Sequence, residues 1–283
     1  MTKGILPDFL IIGAMKAGTT TLYEYLSHHP QVGMSREKET DYFIEGRGAA
    51  RGLPWYQAQF TPGRKVYGEA SPNYTKCQAF PGVPDRVATL IPHCKLIYIV
   101  RDPVARANSQ FRHAVLSGEV PIGPEKEMND QLLQHLIDTS SYNTQIQPWL
   151  ARFPLKNILF LQFENLISDP SFVLSKIAAF LEISDSWPAR GVISANSSDS
   201  LGRLPPWLFL LRKMKVAGWI KKFLSGDIRR RLKSAIETRK PRSAPELSKK
   251  MQNKIWAEVA VEMVQFHEVS GISLRRPDGS PSE

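Results

Sequence analysis

The chain has 283 residues, of which 42% are hydrophobic and 23% are charged, so it can bury a sizeable core as one large α/β domain or two smaller ones. It carries 37 Lys and Arg against 27 Asp and Glu, a formal net charge of +10. That surplus indicates an anionic partner (nucleic acid, acidic lipid, sulfated or phosphorylated sugar, or a polyanionic nucleotide), or serves surface solubility alone. The two cysteines, Cys77 and Cys94, form no C-x-x-C motif, which argues against a zinc site and a disulfide framework and fits a reducing compartment.

Hydropathy gives no sign of a membrane span or a secretion signal. The first apolar run, residues 9–12, is four residues long, and no apolar stretch reaches 18 residues. We therefore expect a cytoplasmic protein, although a chain from which a membrane anchor had been removed would have the same features.

The first segment has the pattern of a strand, a loop and a helix. Residues 9–12 are typical of a parallel strand that is covered on both faces. The small-residue loop 13–18 follows, and we predict a helix that Thr19 caps and that stops near Pro30. Further strands are predicted near 65–69, 95–100 and 157–161, and helices near 104–116, 130–151, 171–181 and 245–269.

This alternation predicts the α/β class, as a single P-loop-like domain with a central parallel sheet flanked by helices. We assign the domain to residues 1–283, with a core at about 8–182 and a basic, helical carboxyl-terminal extension at about 203–270. Right-handed crossovers place the loops after Ile12 and Val100 at the same edge of the sheet, where ligands bind in such folds.

The loop after the first strand has the composition of a phosphate site. Gly18 lets the backbone approach an anion closely, Lys16 adds a cation, and the threonines that follow add hydroxyl donors at a helix amino terminus. In the ordinary nucleotide loop, lysine follows the second glycine. Here Thr19 stands in that place, which disfavours an ATPase or a kinase. A solvated turn with a helix cap is the alternative.

In this strand–loop–helix context, residues 16–20 resemble the 5′-phosphosulfate loop of sulfotransferases that use 3′-phosphoadenosine-5′-phosphosulfate (PAPS), a loop usually written K-x-G-T. Residues 97–103, with Arg101 and with Ser109 eight positions later, resemble the 3′-phosphate motif of the same family. Arginine grips phosphate in a bidentate manner, and the serine adds a hydroxyl. The alternative for Arg101 is an ion pair with Asp102 that closes a turn.

The resemblance extends over about residues 8–182 and is strongest to the glycosaminoglycan (heparan sulfate type) branch, as a soluble member of bacterial type. It implies PAPS as the co-substrate, no metal, and nucleotide contacts by eight residues: Lys16, Ala17, Gly18, Thr19, Thr20, Thr21, Arg101 and Ser109. The segments that carry it further are 52–56, 68–74, 149–154 and 161–170, and more loosely a basic stretch at 239–242, where the family often has a nucleotide-covering loop.

The resemblance also implies the catalytic residues. The base in that branch is a glutamate in a K-E-x-H-[FY]-F-like segment, which corresponds here to residues 38–43, so Glu39 is the expected base and Lys16 the residue that neutralises the leaving group. Asp41 replaces the histidine of that segment, and Ala70 stands where the branch often has a lysine. A surface pair with Lys38 or Arg36 is the alternative role for Glu39.

Several other polar residues are weaker candidates. His28 and His29 end the first helix and are expected to cap it. Glu69 either orients the acceptor or holds its loop by hydrogen bonds, and Glu164 is expected to end a strand in a structural role.

The segment 203–233 interleaves Trp and Phe with Lys and Arg. It is interpreted as a helical subdomain packed on the core, with peripheral contact to an anionic membrane, cover of the site or binding of an acidic acceptor as alternatives.

The expected reaction is transfer of a sulfuryl group from PAPS to a hydroxyl, or as a second choice an amine, of a small-molecule, sugar or lipid-linked acceptor, with release of adenosine 3′,5′-bisphosphate. No nucleic acid partner is expected. Two other functions stay open: a P-loop kinase or NTPase, which requires a lysine after Gly18 and a strand-end aspartate for Mg²⁺, and a non-enzymatic binder of polyanions such as RNA.

Overall fold

The computed structural model describes residues 4–116, 130–188 and 246–274. The basic segment 203–233 and the stretch 239–242 lie outside these residues. Within the described ranges, no helix combines the length and the apolar character that crossing a bilayer requires. Cys77 and Cys94 are both free thiols.

A five-stranded parallel sheet forms the centre of the described chain, in the order β2-β3-β1-β4-β5. The strands are β1 (Phe9–Gly13), β2 (Val32–Met34), β3 (Val66–Ala70), β4 (Lys95–Val100) and β5 (Ile158–Gln162). The chain extends the sheet on one side of β1 with β3 and on the other side with β4, so the topology reverses at β1. In open α/β sheets, ligands bind at the carboxyl ends of the strands beside such a switch point.

Helices cover both faces of the sheet. They are α1 (Thr19–Ser27), α2 (Leu53–Gln57), α3 (Val83–Leu90), α4 (Pro103–Leu116), α5 (Asp130–Ser140), α6 (Tyr142–Leu150), α7 (Phe163–Ser168), α8 (Pro170–Leu181) and α9 (Lys249–Ser270). Short 3₁₀ turns occur at Gly48–Arg51, Pro72–Thr75 and Leu155–Asn157.

The continuous apolar character of β1 follows from this two-sided cover. Leu10 and Ile12 point to the face packed by α3 to α6 and α9, whereas Phe9 and Ile11 point to the face packed by α1 and α8. Because successive side chains of a strand alternate between faces, both sets must be apolar. Each fully buried aliphatic side chain contributes about 1.5–3 kcal/mol to folding.

The α/β class, the parallel sheet, the helical character of 130–151 and the final helix are confirmed, but two local predictions were wrong and one lacked a helix break. Thr19 does not cap α1, because Gly18, with a φ of 89°, is the cap residue and Thr19 is already helical. The segment 130–151 is two helices that break at Ser141, whose ψ of 72° leaves the helical region. Ser141 Oγ bonds the carbonyl of Ile137, the local competition by which serine weakens helices. Glu164 lies in the first turn of α7 and does not end a strand.

Candidate active site

The loops that follow β1, β3, β4 and β5 meet at one edge of the sheet. The amide of Ala14 donates to the carbonyl of Ile99 at 2.6 Å, and the amide of Ser71 donates to the carbonyl of Ile11 at 3.1 Å. These hydrogen bonds join the ends of neighbouring strands, so the residues that follow each strand are held close together.

The loop between β1 and α1 has the backbone of an anion site. Lys16 and Gly18 have positive φ values of 68° and 89°, which curl the chain around the start of the helix. The first hydrogen bond of the α1 ladder runs from the amide of Leu22 to the carbonyl of Gly18, so the amides of residues 18–21 precede the ladder. Free amides at the positive end of a helix favour a bound phosphate. Thr19 and Thr21 are buried, and Thr20 is half-buried.

Phe163, the first residue of α7, braces this loop. A Cβ added to Gly18 would lie 2.5 Å from Phe163 Cδ2, so the ring fills the space where a side chain would be. The guanidinium of Arg101 lies over the same ring, 4.8 Å from its centre, and donates a long hydrogen bond of 3.5 Å to the carbonyl of Lys16. The two predicted halves of the nucleotide site are therefore in contact.

We expect Gly18→Ala to lower the affinity for adenosine 3′,5′-bisphosphate at least tenfold. The new Cβ combines a clash with Phe163 and the strain of a positive φ, which costs about 1–2 kcal/mol in a non-glycine residue. Gly46→Ala is the matched control, because Gly46 has a φ of 71° but no atom within 4 Å of an added Cβ. Calorimetric titration measures both; equal affinity in the two variants would contradict the role of the Phe163 contact.

The arginines of the second motif have different environments. Arg101 is half-buried at the site, and its neighbour Asp102 accepts a hydrogen bond from the amide of Ala105 at 2.6 Å. The described residues contain no Arg101–Asp102 ion pair, so the turn-closing alternative is not what they show. Arg106, in contrast, is fully buried in a structural role. It donates to Ser140 Oγ and to three further acceptors: the carbonyl of Leu136, Gln110 Oε1 and, at 3.5 Å, the carbonyl of Met15 in the phosphate loop.

Ser109 is half-buried on α4, eight residues after Arg101. In the described part of the chain, no hydrogen bond joins it to the other predicted site residues. Its contact with a 3′-phosphate therefore stays a prediction.

The predicted catalytic groups interact through their charges. Burial, and then the charge of Arg101, lower the pKa of Lys16, while the carboxylate of Glu39 acts in the opposite direction. Lys38 and Arg106 lower it further. Lys16, Arg101 and Glu39 thus belong to one site, in which the ammonium of Lys16 lies in a field dominated by positive charge.

Glu39 lies on the loop between β2 and the 3₁₀ turn Gly48–Arg51. Its side chain is 47% exposed and pairs with Lys38 at 2.7 Å, which is the surface pair considered from the sequence. A carboxylate in this place is accessible to an incoming acceptor. Asp41 is already engaged, because it pairs with Arg47 at 2.7 Å and accepts a hydrogen bond from Asn73. Its contacts support a structural role for Asp41.

Glu69, at the end of β3, is buried under that loop. Its carboxylate accepts hydrogen bonds from Thr40, Tyr56 and Tyr74, the last two at 3.0 and 2.6 Å. Since Thr40 directly follows Glu39, Glu69 fastens the segment that carries the expected base. Of the two roles considered for Glu69, these contacts favour loop positioning, because the side chain has no exposed surface for an acceptor.

We expect Glu69→Gln to remove one source of pH-dependent stability. Burial raises the pKa of Glu69 from 4.5 to about 7. Between these values the folded chain keeps a proton that the unfolded chain has released, so the free energy of unfolding falls as the pH rises through this window, by on the order of 3 kcal/mol. Urea unfolding from pH 4.5 to 7.5 should give a flatter profile for Glu69→Gln than for wild type, with the exposed Glu258→Gln as control. Parallel profiles would mean that Glu69 stays ionised.

The remaining candidates have structural contacts. His28 Nδ1 lies 2.6 Å from the carbonyl of Glu24 and closes the end of α1 as expected. His29 Nε2 lies 2.9 Å from the carbonyl of Ser184, so this side chain joins the end of α1 to the segment after α8 and does not cap the helix. Glu164 Oε1 accepts a hydrogen bond from the amide of Asp102 at 3.1 Å. The side chain of Ala70 is buried in the cluster beneath α1.

Sequence reasoning missed Lys76. This lysine follows the 3₁₀ turn Pro72–Thr75, is almost completely buried, and has Glu39 and Asp41 among its charged neighbours. A lysine in a loop gives no periodic signal, so only the folded arrangement could single it out. In residues 4–116, 130–188 and 246–274, no group of three or more His, Cys, Asp or Glu side chains is arranged to hold a metal ion.

Comparison with known proteins identifies the family. A family model described as "Sulfotransferase domain" matches residues 6–200. This chain belongs to the sulfotransferase domain family. The family uses PAPS as its sulfuryl donor, and the loop and arginine described above fit an adenosine bisphosphate, since amides, Lys16 and Arg101 offer positive charge at two places.

Curated relatives of this sulfotransferase-family chain act on heparan sulfate by name. This chain is 30% identical over 196 residues to the bifunctional heparan sulfate N-deacetylase/N-sulfotransferase 1 of Caenorhabditis elegans. The match covers 64% of this chain and 23% of that protein. It is 33% identical over 186 residues to the heparan sulfate glucosamine 3-O-sulfotransferase 3B1 of Mus musculus, covering 62% and 46%. The chain thus spans less than half the length of these relatives.

A solved structure of a sulfotransferase from Alicyclobacillus acidocaldarius superposes on this family member with a TM-score of 0.66 at 20% identity, covering 95% of this chain and 98% of that one. This likeness shows a shared fold.

Proposed function

We propose that this chain transfers a sulfuryl group from PAPS to a hydroxyl of a carbohydrate-type acceptor and releases adenosine 3′,5′-bisphosphate. One observation carries the proposal: Lys16 in the loop before α1, Arg101 directly after β4 and the accessible carboxylate of Glu39 are close enough for the charges of Arg101 and Glu39 to act on Lys16. The first two fit a doubly phosphorylated nucleotide, and the third fits an acceptor that must lose a proton.

In the proposed reaction, PAPS supplies a sulfuryl group activated by its bond to a phosphate oxygen. Glu39 accepts the acceptor's hydroxyl proton as the new sulfur–oxygen bond forms and the bond to the phosphate oxygen breaks. Lys16 neutralises the negative charge that the departing bisphosphate gains, and Arg101 with the residue 18–21 amides holds the phosphates in place. Because Lys16, Arg101 and the loop amides are in place before the reaction, stabilising the leaving bisphosphate requires no movement of charged groups.

The relatives support a sugar as the acceptor class. Both relatives named above carry heparan sulfate in their names, one as an N-sulfotransferase and one as a 3-O-sulfotransferase. Glu39 can take a proton from a hydroxyl or from an amine, so the choice between O- and N-sulfation rests on the acceptor's fit.

The two other functions have less support. A kinase or NTPase requires a lysine after Gly18, where the chain has Thr19, and an aspartate that ends a strand, whereas β4 is followed directly by Arg101. A polyanion binder would bind RNA tightly after loss of Lys16, whereas the family match and the built phosphate loop favour a nucleotide.

Calorimetric titration of adenosine 3′,5′-bisphosphate tests the proposal. We expect micromolar binding to wild type and at least tenfold weaker binding to Arg101→Ala, because a bidentate, charge-assisted contact to a phosphate is lost. Lys16→Ala is measured beside it. Arg152→Ala is the matched control, since Arg152 pairs with Asp85 on the exposed surface.

Mg·ATP is the competing ligand in the same titration. No binding of the bisphosphate, or a clear preference for Mg·ATP, would overturn the proposal and favour a kinase. Binding of the bisphosphate alone justifies a screen of sugar acceptors with PAPS.

A further inference from the structure

Lys76 is a buried cation that no described residue satisfies. Only 8% of its surface is exposed, and no hydrogen bond or ion pair from its ammonium to a residue in 4–116, 130–188 or 246–274 is present. Its backbone is fixed, since its carbonyl accepts hydrogen bonds from the amides of Ala79 and Phe80 at 3.0 and 2.8 Å. A mostly buried lysine that lacks an anionic partner is a candidate for binding an anionic ligand.

The surroundings of Lys76 do not compensate it. Its charged neighbours are Arg106 and Arg47, which repel it, and Glu39 and Asp41, which attract it. Asp41 is already paired with Arg47 and bound by Asn73, and Glu39 is paired with Lys38.

Burial, and then the charges of Lys76 and Arg106, lower the pKa of His135 on α5, and this imidazole supplies no negative charge to Lys76. Burial is the main cause that lowers the pKa of Lys76 to about 8, with the two arginines next. The local field therefore has an excess of positive charge.

Glu39 places Lys76 relative to the chemistry. Its carboxylate is the one acidic group that acts on both Lys16 and Lys76 among the charges that shift these two lysines in the described chain. Lys76 directly follows the turn Pro72–Thr75, and Asn73 of that turn donates to Asp41, two residues from Glu39, at 3.0 Å. Lys76 therefore lies beside the loop that carries the expected base.

We propose that Lys76 binds an oxyanion in the reaction complex, beside Glu39. The proposal rests on the proposed function, and the oxyanion has two sources of the same chemistry: the sulfuryl group in transfer, or an acidic substituent of the acceptor. In both cases the ligand supplies an anionic partner for the ammonium of Lys76.

Lys76→Met tests the proposal, because methionine keeps the length and apolar stem of lysine and removes the charge. Lys250→Met, an exposed position on α9, is the matched control, and Lys76→Arg tests whether charge alone restores binding. Thermal unfolding without ligand is measured first, and we expect Lys76→Met to be at least as stable as wild type, since an uncompensated buried charge is removed.

Two calorimetric arms distinguish the sources. If the sulfuryl group is the ligand, Lys76→Met weakens PAPS binding at least fivefold and leaves adenosine 3′,5′-bisphosphate within twofold of wild type. If the acceptor is the ligand, both nucleotides bind to Lys76→Met as to wild type. The variant saturated with the bisphosphate then loses affinity for methyl glucuronide, whereas its affinity for methyl glucoside, which lacks the carboxylate, is unchanged.

Unchanged binding of PAPS and of the glucuronide in Lys76→Met overturns the proposal. So does an equal loss of bisphosphate affinity, which would assign Lys76 to the nucleotide site. Failure of wild type to bind the bisphosphate is a different result, because it removes the proposed function itself.

Discussion

Replacing Lys16 with methionine should lower the turnover of sulfuryl transfer by about 10² to 10³, while the affinity for adenosine 3′,5′-bisphosphate falls only a few-fold. The reason is that the ammonium is needed most where negative charge develops on the leaving phosphate, and loss of one such preorganised donor typically costs this much in rate. Release of the bisphosphate from PAPS, with an acceptor from the screen, measures turnover.

Lys156→Met is the control for Lys16. Lys156 is exposed in the 3₁₀ turn before β5, at the opposite edge of the sheet. Equal losses in kcat and in bisphosphate affinity for Lys16→Met would instead mean that Lys16 only binds the ground state.

Glu39→Gln should lower turnover by about 10² to 10⁴, the usual contribution of a general base, with bisphosphate binding unchanged. Glutamine keeps the shape of the side chain but accepts no proton. Because Glu39 is 47% exposed, its replacement should leave the stability of the fold nearly intact, so the kinetic effect is separable from unfolding.

The control for Glu39 lies on the same loop. Glu37 is exposed and pairs with Arg51 at 2.7 Å, so Glu37→Gln removes a carboxylate two residues away without touching the site. If Glu37→Gln and Glu39→Gln lose activity equally, the loop matters as a whole and another residue is the base.

The sequence predicted the strands and the phosphate loop because their signals are local. A four-residue apolar run followed by small residues and threonines shows the β1–α1 unit without any tertiary knowledge, and β4 ends sharply at Arg101. The break between α5 and α6 and the cap at Gly18 were missed, because both depend on the backbone angles of a single residue, which the apolar pattern does not reveal.

The charges around the base required the folded chain. Nothing in the pattern distinguishes Glu69 from an exposed glutamate, yet four side-chain hydroxyls converge on it, those of Thr40, Tyr56, Ser71 and Tyr74. Lys76 and Arg106 are likewise ordinary basic residues in the sequence, and only their burial separates them from surface lysines and arginines.

Glu69 fastens residues 35–52, the segment that carries the expected base. The site therefore has two parts, which different segments of the chain build. The donor end is built by the loops after β1, β4 and β5, which pack on one another through Phe163. The expected acceptor end is residues 35–52, which β3 and the turn after it hold through Thr40 and Asp41, with further hydrogen bonds from Tyr23 of α1 and Arg86 of α3. In a family with this arrangement, the acceptor segment can be replaced while the nucleotide-binding loops stay unchanged. New acceptors can then evolve, or be engineered, by grafting one surface segment onto the same sheet.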